Sequence, residues 1–256
     1  YSAPNAGSDL ASLRTEAELR GDRFVVNGQK TWTTLAQDAT HMFMLARTDR
    51  DAKKQAGISF LLVDFKSPGI TVRPIRNVAG EEEFCEVFFD NVEVPLENLV
   101  GELNGGWALA KALLGFERIF FGSPKQAQYA LQRLTALGAR SGLHGDPVFR
   151  HKLAQLTLDV ADLASLYGTF VEALRANRTL GPDVSILKIW ATETTLRIAN
   201  AMIEAAGATG GLRPGPDSEE IDALSAFYAA RAATIYGGTS EIQRNIVAKS
   251  VLGLPD

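Results

Sequence analysis

The sequence predicts an α+β protein, in which an antiparallel β-barrel or sandwich domain is followed by a four-helix-bundle domain. Runs of β-prone residues bounded by turn residues fill the first part of the chain, and helical periodicity begins at Trp107. Strands followed by helices are typical of this class. The 256 residues, 46% of them hydrophobic, suffice for one large core or two smaller ones. We therefore predict a β-domain over residues 1–102 and a helical bundle over residues 103–256.

The β-domain is predicted from short β-prone runs that end at Gly, Pro, Asp or Asn. In the first run, over residues 23–32, the pair Asn27-Gly28 suits the positive φ angles of a tight hairpin turn between two strands. Cys85 lies in the last run and is expected to pack rather than to react. The remaining strands are predicted at residues 41–48, 58–64, 70–75 and 84–94.

The helical domain is predicted from segments rich in Ala, Leu, Arg and Gln, which favour helices. Gly181-Pro182 and the stretch 210–216 interrupt them. A set of consecutive helices with apolar stripes predicts a bundle. The helices are predicted at residues 106–138, 148–179, 183–207, 218–234 and 240–250.

Composition excludes several classes of protein. A net charge of −4 with no long basic run argues against a nucleic-acid-wrapping surface. No apolar run reaches the roughly 18 residues of a membrane helix, and a single cysteine excludes a disulfide framework. The histidines show no metal-ligand spacing, and no nucleotide-binding glycine motif or nucleophile elbow occurs. The chain begins at Tyr1 rather than Met, so we interpret it as a fragment whose lack of a targeting signal says nothing about its compartment. The localisation we expect is cytoplasmic, with a targeting segment as the open alternative.

The apolar segment 107–124 carries charge only at Lys111, Glu117 and Arg118. A helix that is apolar on every side is normally buried, so charges inside it need partners or a polar cavity. Two interpretations stay open. Glu117 and Arg118 either reach solvent or pair with a neighbouring helix, or Glu117 faces a dry pocket that raises its pKa and suits it to proton abstraction.

Three small-residue segments could bind a ligand through their backbone. Gly237-Gly238 precede a predicted helix in which Ser240 and Gln243 fit a capping box, and N–H groups at such a start can bind an anion or an oxygen-rich cofactor. The same pattern is also that of an ordinary connector. The turn at residues 4–9 and the segment 32–34 allow close approach of a ligand or simple packing of the β-domain.

Taken together and in order, six segments resemble the acyl-CoA dehydrogenase family. Family members have an N-terminal helical domain, a middle β-domain and a C-terminal four-helix bundle, and this chain resembles the last two. The matching segments are residues 1–9 (YSAPNAGSD), 26–34 (VNGQKTWTT), 88–95 (FFDNVEVP) and 98–107 (NLVGELNGGW), the pair Glu117-Arg118, and residues 235–244 (IYGGTSEIQR).

The resemblance implies bound FAD and oxidation of an acyl-CoA thioester to the trans-2-enoyl-CoA, with electrons passing to an electron-transferring flavoprotein. It also implies a homo- or hetero-oligomer arranged as a dimer of dimers. By position, the residues expected to contact the flavin cofactor are Ser2, Ser8, Trp32, Thr34, Arg140, Thr239 and Glu241. Ser8 and Arg118 are also expected near the acyl-CoA, and Arg140 is expected to reach the FAD pyrophosphate of a neighbouring subunit.

The resemblance also implies a position for the catalytic base. Many members carry a glutamate directly after the tyrosine of the last segment, where this chain has Gly237. A minority carry it on the first bundle helix directly before an arginine, which here is Glu117. Glu117 is thus the expected base, and the backbone N–H of Gly237 is expected to bind the thioester carbonyl.

Alternatives remain open within the same resemblance. The chain could be the non-catalytic partner subunit of a heteromer, or a flavin monooxygenase or oxidase on the same fold. Departures from the family pattern, such as Ala3 in place of a common glutamate, suit divergent bacterial members that act on bulky steroid-like or branched acyl-CoAs. An unrelated β-plus-helix binding protein would require six ordered matches by coincidence.

Overall fold

The computed structural model describes residues 1–215 and 218–255, with residues 115 and 116 described by their backbone alone. The chain forms two compact units, Tyr1–Leu113 and Leu114–Asp256. Among the described residues, none of the helices combines the length and the apolar character needed to cross a membrane.

The first unit contains one mixed sheet of seven strands in the order β5-β6-β2-β1-β3-β4-β7. Met44 and Leu61 near one edge and Val87 and Phe89 near the other share one apolar core. Cys85 is buried in this core, which confirms its packing role. The strands are β1 (Glu16–Arg20), β2 (Arg23–Thr34), β3 (His41–Arg47), β4 (Ile58–Asp64), β5 (Ile70–Ile75), β6 (Phe84–Pro95) and β7 (Leu99–Val100).

The sheet corrects the prediction of a purely antiparallel barrel or sandwich. Strands β5 and β7 are its two edges, so the sheet is open. Strands β1 and β3 pair in parallel, with Glu16 opposite Arg47. The reason is topological: after β2 the chain reverses and joins the far side of β1, so β3 runs in the direction of β1.

The predicted hairpin turn at Asn27-Gly28 is wrong, because both residues lie inside the twelve-residue strand β2. The turn is formed instead by Gly21 and Asp22, between the paired residues Arg20 and Arg23. Gly28 lies at a break in the register between β2 and β6. Its φ is +139°, and a Cβ there would lie 2.8 Å from the Cα of Thr15. Glycine is therefore needed for a bulge and a close backbone approach.

The second unit is helical, and α1 begins before its boundary. Helix α4 packs against α2, α3, α5 and α6. The four-helix bundle stays a prediction. The predicted helix 106–138 is broken before Pro124, which cannot continue a helix. The predicted bounds 240–250 are confirmed. The helices are α1 (Gly106–Phe121), α2 (Lys125–Arg140), α3 (Pro147–Arg175), α4 (Ser185–Ala206), α5 (Ala223–Ala233) and α6 (Ser240–Ser250).

Candidate active site

In the first unit, the end of strand β2 displays Trp32 and Thr34 on one exposed side. A second register break against β6 lies between Lys30 and Thr33, and Trp32 there has a φ of +59°. Trp32 is 58% exposed, and its indole ring contacts Phe84 edge-on, with ring centroids 6.0 Å apart. Bulges of this kind re-aim side chains next to functional sites. The strand therefore offers an aromatic face and a hydroxyl to a ligand.

The loop at residues 2–8 is tied to β2 next to Trp32. The carbonyl of Ser2 accepts a hydrogen bond from the Thr31 N–H at 3.0 Å, and Ala3 and Ala6 bond each other at 3.3 and 2.9 Å. Ser2 is half-buried and Ser8 is exposed. Both hydroxyl-bearing residues thus lie on a loop that the backbone of β2 holds in place.

Lys30 anchors the same region from inside the unit, although nothing in the sequence separates it from a surface lysine. The side chain is 1% exposed, and its Nζ donates to the carbonyls of Leu45 at 2.7 Å and Tyr1 at 3.2 Å. Burial lowers the pKa of Lys30 to about 7. The register breaks on either side of Lys30 change which residues of β2 face inward, so simple alternation does not reveal it.

In the second unit, Glu117 and Arg118 lie in the last turns of α1 and are both half-buried. Burial raises the pKa of the Glu117 carboxyl and lowers the pKa of the Arg118 guanidinium. Within residues 1–215 and 218–255 neither side chain forms a hydrogen bond or an ion pair with another side chain. Pairing with a neighbouring helix therefore does not explain Glu117. The expectation that α1 is buried all round is wrong, since Lys111 and Phe120 are exposed.

The face of α1 that carries Glu117 reaches the loop before α6 through Phe121. Residues four apart share a helix face, so Glu117 lies one turn before Phe121 on the same side. The Phe121 ring packs against Tyr236 with centroids 5.2 Å apart. A Cβ on Gly237 would lie 3.1 Å from that ring. The structure thus brings together the helix of Glu117 and the loop of Gly237, two of the predicted site elements.

The loop itself has an unusual backbone, with φ angles of +64° at Gly237 and +85° at Gly238. The side chain of Gln243 donates to the carbonyl of Gly237 at 2.8 Å, and Lys188 donates to the carbonyl of Gly238 at 2.8 Å. In the described part of the chain, the N–H groups of both glycines find no acceptor. The carbonyls are therefore occupied and two amide donors remain for a ligand.

The start of α6 corrects the predicted capping box. Thr239, not Ser240, is the N-cap, and its hydroxyl accepts from the Ile242 N–H at 3.2 Å. Gln243 supports Gly237 instead of capping. Glu241 lies in the first helical turn, where its own backbone N–H and the Thr239 hydroxyl hold the pKa of its carboxyl below the usual value. A hydroxyl and a carboxylate therefore accompany the loop, and their contact with a cofactor stays a prediction.

Arg140 lies elsewhere, at the exposed end of α2, where its Nη1 donates to the carbonyl of Glu219 at 2.7 Å. Its expected contact with a neighbouring subunit stays a prediction. The sequence reasoning missed Lys188, which is 0% exposed. A signal for it existed, because this lysine stands between apolar residues in the run 186–190 of α4.

Comparison with known families accounts for both units. Residues 1–92 match the model of the acyl-CoA dehydrogenase middle domain, and residues 104–252 match the model of the acyl-CoA dehydrogenase C-terminal domain. The two matches are consecutive along the chain: the first covers the strands and the second covers the helices.

Individual relatives agree. The chain is 40% identical over 257 residues to acyl-CoA dehydrogenase IpdE1 of Mycobacterium tuberculosis, covering all of this chain and 66% of that protein. It is 36% identical to acyl-CoA dehydrogenase FadE34 of the same organism, of which it covers 35%. Among solved structures, the Tcur3481-Tcur3483 steroid ACAD superposes with a TM-score of 0.91 at 30% identity, over all of this chain and 67% of that one. The ChsE4-ChsE5 complex from M. tuberculosis gives 0.88 at 32%, over all of this chain and 68% of that one.

Proposed function

Because the chain belongs to the acyl-CoA dehydrogenase family, we propose that the protein of which it is part oxidises an acyl-CoA thioester to the trans-2-enoyl-CoA with bound FAD. Glu117 is the general base that removes the α-proton. The chain spans 66% of the length of its relative IpdE1, so the proposal concerns the whole protein.

One observation carries the proposal. Glu117 is a half-buried carboxylate with a raised pKa, and among the described side chains it has no hydrogen-bond or ion-pair partner. It lies on the helix face that meets the Tyr236-Gly237 loop. Desolvation makes a carboxylate a stronger base, and perturbed carboxylates are concentrated at functional sites. Gly237 offers no side chain for this task, so the base must come from another element.

The backbone N–H of Gly237 supports the proton transfer. In the proposed complex it donates to the thioester carbonyl, and the negative charge that develops on this oxygen as the α-proton leaves strengthens the bond. A donor of this kind is worth about 3 kcal/mol, and a positioned base about 10²- to 10⁴-fold in rate. A backbone donor needs no side chain, so glycine at position 237 is compatible with this role.

The residues of the first unit fit a flavin, since an exposed indole face and a hydroxyl lie on the same side of one strand. Trp32 would flank the ring system and Thr34 would hydrogen-bond near its N5, with Ser2 and Ser8 in the adjoining loop. When bound, FAD supplies the acceptor for the hydride that leaves the β-carbon. Arg140, Thr239 and Glu241 would contact the remainder of the cofactor.

We infer the substrate class and partners from the relatives. One solved relative is named a steroid ACAD, which favours a bulky steroid-like or branched acyl-CoA here. Ser8 and Arg118 would contact this acyl-CoA. The proposed electron acceptor is an electron-transferring flavoprotein, and the proposed assembly is a homo- or hetero-oligomer arranged as a dimer of dimers.

The test is Glu117→Gln in the full-length protein, with Glu172→Gln on the exposed side of α3 as the matched control. The glutamine keeps the shape but cannot accept the proton, so we expect kcat to fall by about 10²- to 10⁴-fold while the flavin absorbance stays unchanged. The control should retain wild-type kcat. Wild-type kcat in Glu117→Gln would refute the assignment of the base.

A second candidate function is a non-catalytic partner subunit, because two similar structures are named as pairs of proteins. Purified alone at full length, such a subunit would be colourless or would bind flavin without being reduced. Reduction of the flavin by an acyl-CoA under anaerobic conditions would separate dehydrogenation from a monooxygenase. An oxidase would also be reduced, and its rapid re-oxidation when oxygen is admitted would separate it from a dehydrogenase.

A further inference from the structure

Lys188 is a fully buried lysine that donates a hydrogen bond to a backbone carbonyl rather than to a carboxylate. It lies on α4 with 0% exposure, and its Nζ reaches the carbonyl oxygen of Gly238 at 2.8 Å. Burying an amine is unfavourable unless its hydrogen bonds are satisfied. The hydrogen bond to Gly238 therefore offsets the unfavourable burial of the Lys188 amine and holds one carbonyl of this loop in place.

Gln243 holds the neighbouring carbonyl in the same way. It is 1% exposed, and its Nε2 donates to Gly237 O at 2.8 Å. In a trans peptide the N–H points opposite to the C=O. With both carbonyls turned toward buried donors, the N–H groups of Gly238 and Thr239 point away from those donors. The two side chains thus lie on the side of the loop to which its carbonyls point. We call Lys188 and Gln243 the carbonyl clamp.

The loop needs such a clamp because it contains two consecutive glycines. Glycine has more backbone freedom than any other residue, so the orientation of the Gly237 N–H is not fixed by the local chain. On the preceding side, Tyr236 N–H bonds Ala232 O at 3.0 Å and its ring packs on Phe121. The clamp fixes the following side. Gly237 is therefore held between two anchored points.

We propose that Lys188 and Gln243 are positioning residues for the dehydrogenation: by holding the carbonyls of Gly238 and Gly237, they orient the Gly237 N–H toward the enolate oxygen of the substrate. The inference rests on the proposed function, since it assigns a partner to that N–H. Neither side chain contacts the reacting atoms in this account.

The expected change in kcat and KM follows from the step at which the Gly237 N–H acts, namely the formation of the enolate. A misplaced oxyanion donor weakens the transition state more than the bound substrate, so kcat falls while KM changes little. Misplacement by about 1 Å can reduce a rate by about 10²-fold. We expect Lys188→Met and Gln243→Met to lower kcat by about 10- to 100-fold, with KM within about threefold of wild type and the same flavin content.

The experiment uses the full-length protein purified with its flavin, and Lys125→Met, an exposed lysine of α2, as the control. A second readout is binding of a 3-thia-acyl-CoA, which can lose its α-proton to Glu117 but cannot release a β-hydride. The C–H electron pair then stays on the enolate, whose charge-transfer absorbance with oxidised flavin is measured against pH. In the clamp variants the bound analogue should need a higher pH to ionise. A purely structural role would lower flavin content or raise KM without this shift.

The outcomes separate the two proposals. If the wild type neither reduces its flavin with acyl-CoAs nor ionises the analogue, the proposed function fails and the clamp with it. If the wild type does both, and a folded clamp variant matches its kcat and its ionisation pH, the clamp is overturned while the function stands. Should Lys188→Met fail to fold, Gln243→Met decides the question from the other carbonyl.

Discussion

Two buried lysines, one in each unit, do the same structural task in different electrostatic surroundings. Lys30 in the sheet donates to the carbonyls of Leu45 and Tyr1, and Lys188 in the helical unit donates to that of Gly238. Each thereby holds a loop that carries predicted site residues. The comparison teaches that a buried amine can bond a carbonyl of irregular backbone, here that of Tyr1 or Gly238, which has no partner in a regular sheet or helix.

The two lysines differ in their acidic neighbours. Burial alone acts on Lys30 and lowers its pKa to about 7. Burial also lowers the pKa of Lys188, to about 8, and the carboxylates of Glu241 and Glu193 act in the opposite direction. Lys188 therefore keeps its charge at neutral pH, whereas Lys30 is close to its midpoint.

The largest expected effect is a pH-dependent contribution of Lys30 to stability. Its pKa is lower in the folded state than the 10.5 of a free lysine, so between these values the unfolded chain binds the extra proton and stability rises with pH. Relative to Lys30→Met, the wild-type free energy of unfolding should rise by about 2 kcal/mol from pH 7 to pH 9. Below pH 7 the difference should level off.

The measurement can use the single cysteine of the chain. Cys85 is buried in the first unit, so its labelling by a thiol reagent in increasing urea reports the opening of that unit. The same labelling of Cys85 in the Lys30→Met variant gives the free energy of unfolding with which the wild type is compared. A wild-type minus variant difference that is flat from pH 7 to pH 9 would contradict the account of Lys30.

A smaller effect is expected for Lys188 in direct titration. With ¹³C-labelled lysine in the full-length protein, the signal of Lys188 should titrate at a pH above that of Lys30, since its pKa is about 8 rather than about 7. Lys188→Met and Lys30→Met assign the two signals. A Lys188 signal that titrates below that of Lys30 would contradict this order.

The smallest effect is expected from Glu241→Gln. Removing this carboxylate removes one of the two charges that raise the pKa of Lys188, so the Lys188 signal should titrate at lower pH. Lys30, in the other unit, serves as the internal control and should not shift. A Lys188 signal that stays in place would assign the opposing effect to Glu193.

Local signals predicted much of the fold. The strands at residues 58–64 and 70–75 and the helix at residues 240–250 have the predicted bounds, because turn residues or a cap mark their ends. The prediction of a hairpin turn at Asn27-Gly28 was wrong because this pair suits both a hairpin turn and a bulge. Only the pairing of β2 with β6 decides between the two. Pairing of β1 with β3 is likewise a long-range choice that no short segment encodes.

The candidate site likewise contains some residues that the sequence could identify and others that it could not. Glu117 could be identified from the sequence because a charge interrupts an apolar helix, and Lys188 carries the same kind of signal. Lys30 could not be identified, since the bulges around it hide its inward direction. The support that Gln243 gives to Gly237 depends on Thr239 being the cap, a shift of one residue that sequence spacing does not resolve.

The central claim, that Glu117 removes the α-proton, is tested most directly in a single anaerobic turnover. Full-length wild type and Glu117→Gln, matched for flavin content, are mixed with a saturating acyl-CoA and the bleaching of the flavin is followed. We expect rapid bleaching of the wild type and bleaching at least about 10²-fold slower in the variant. Equal rates in the two proteins would contradict it.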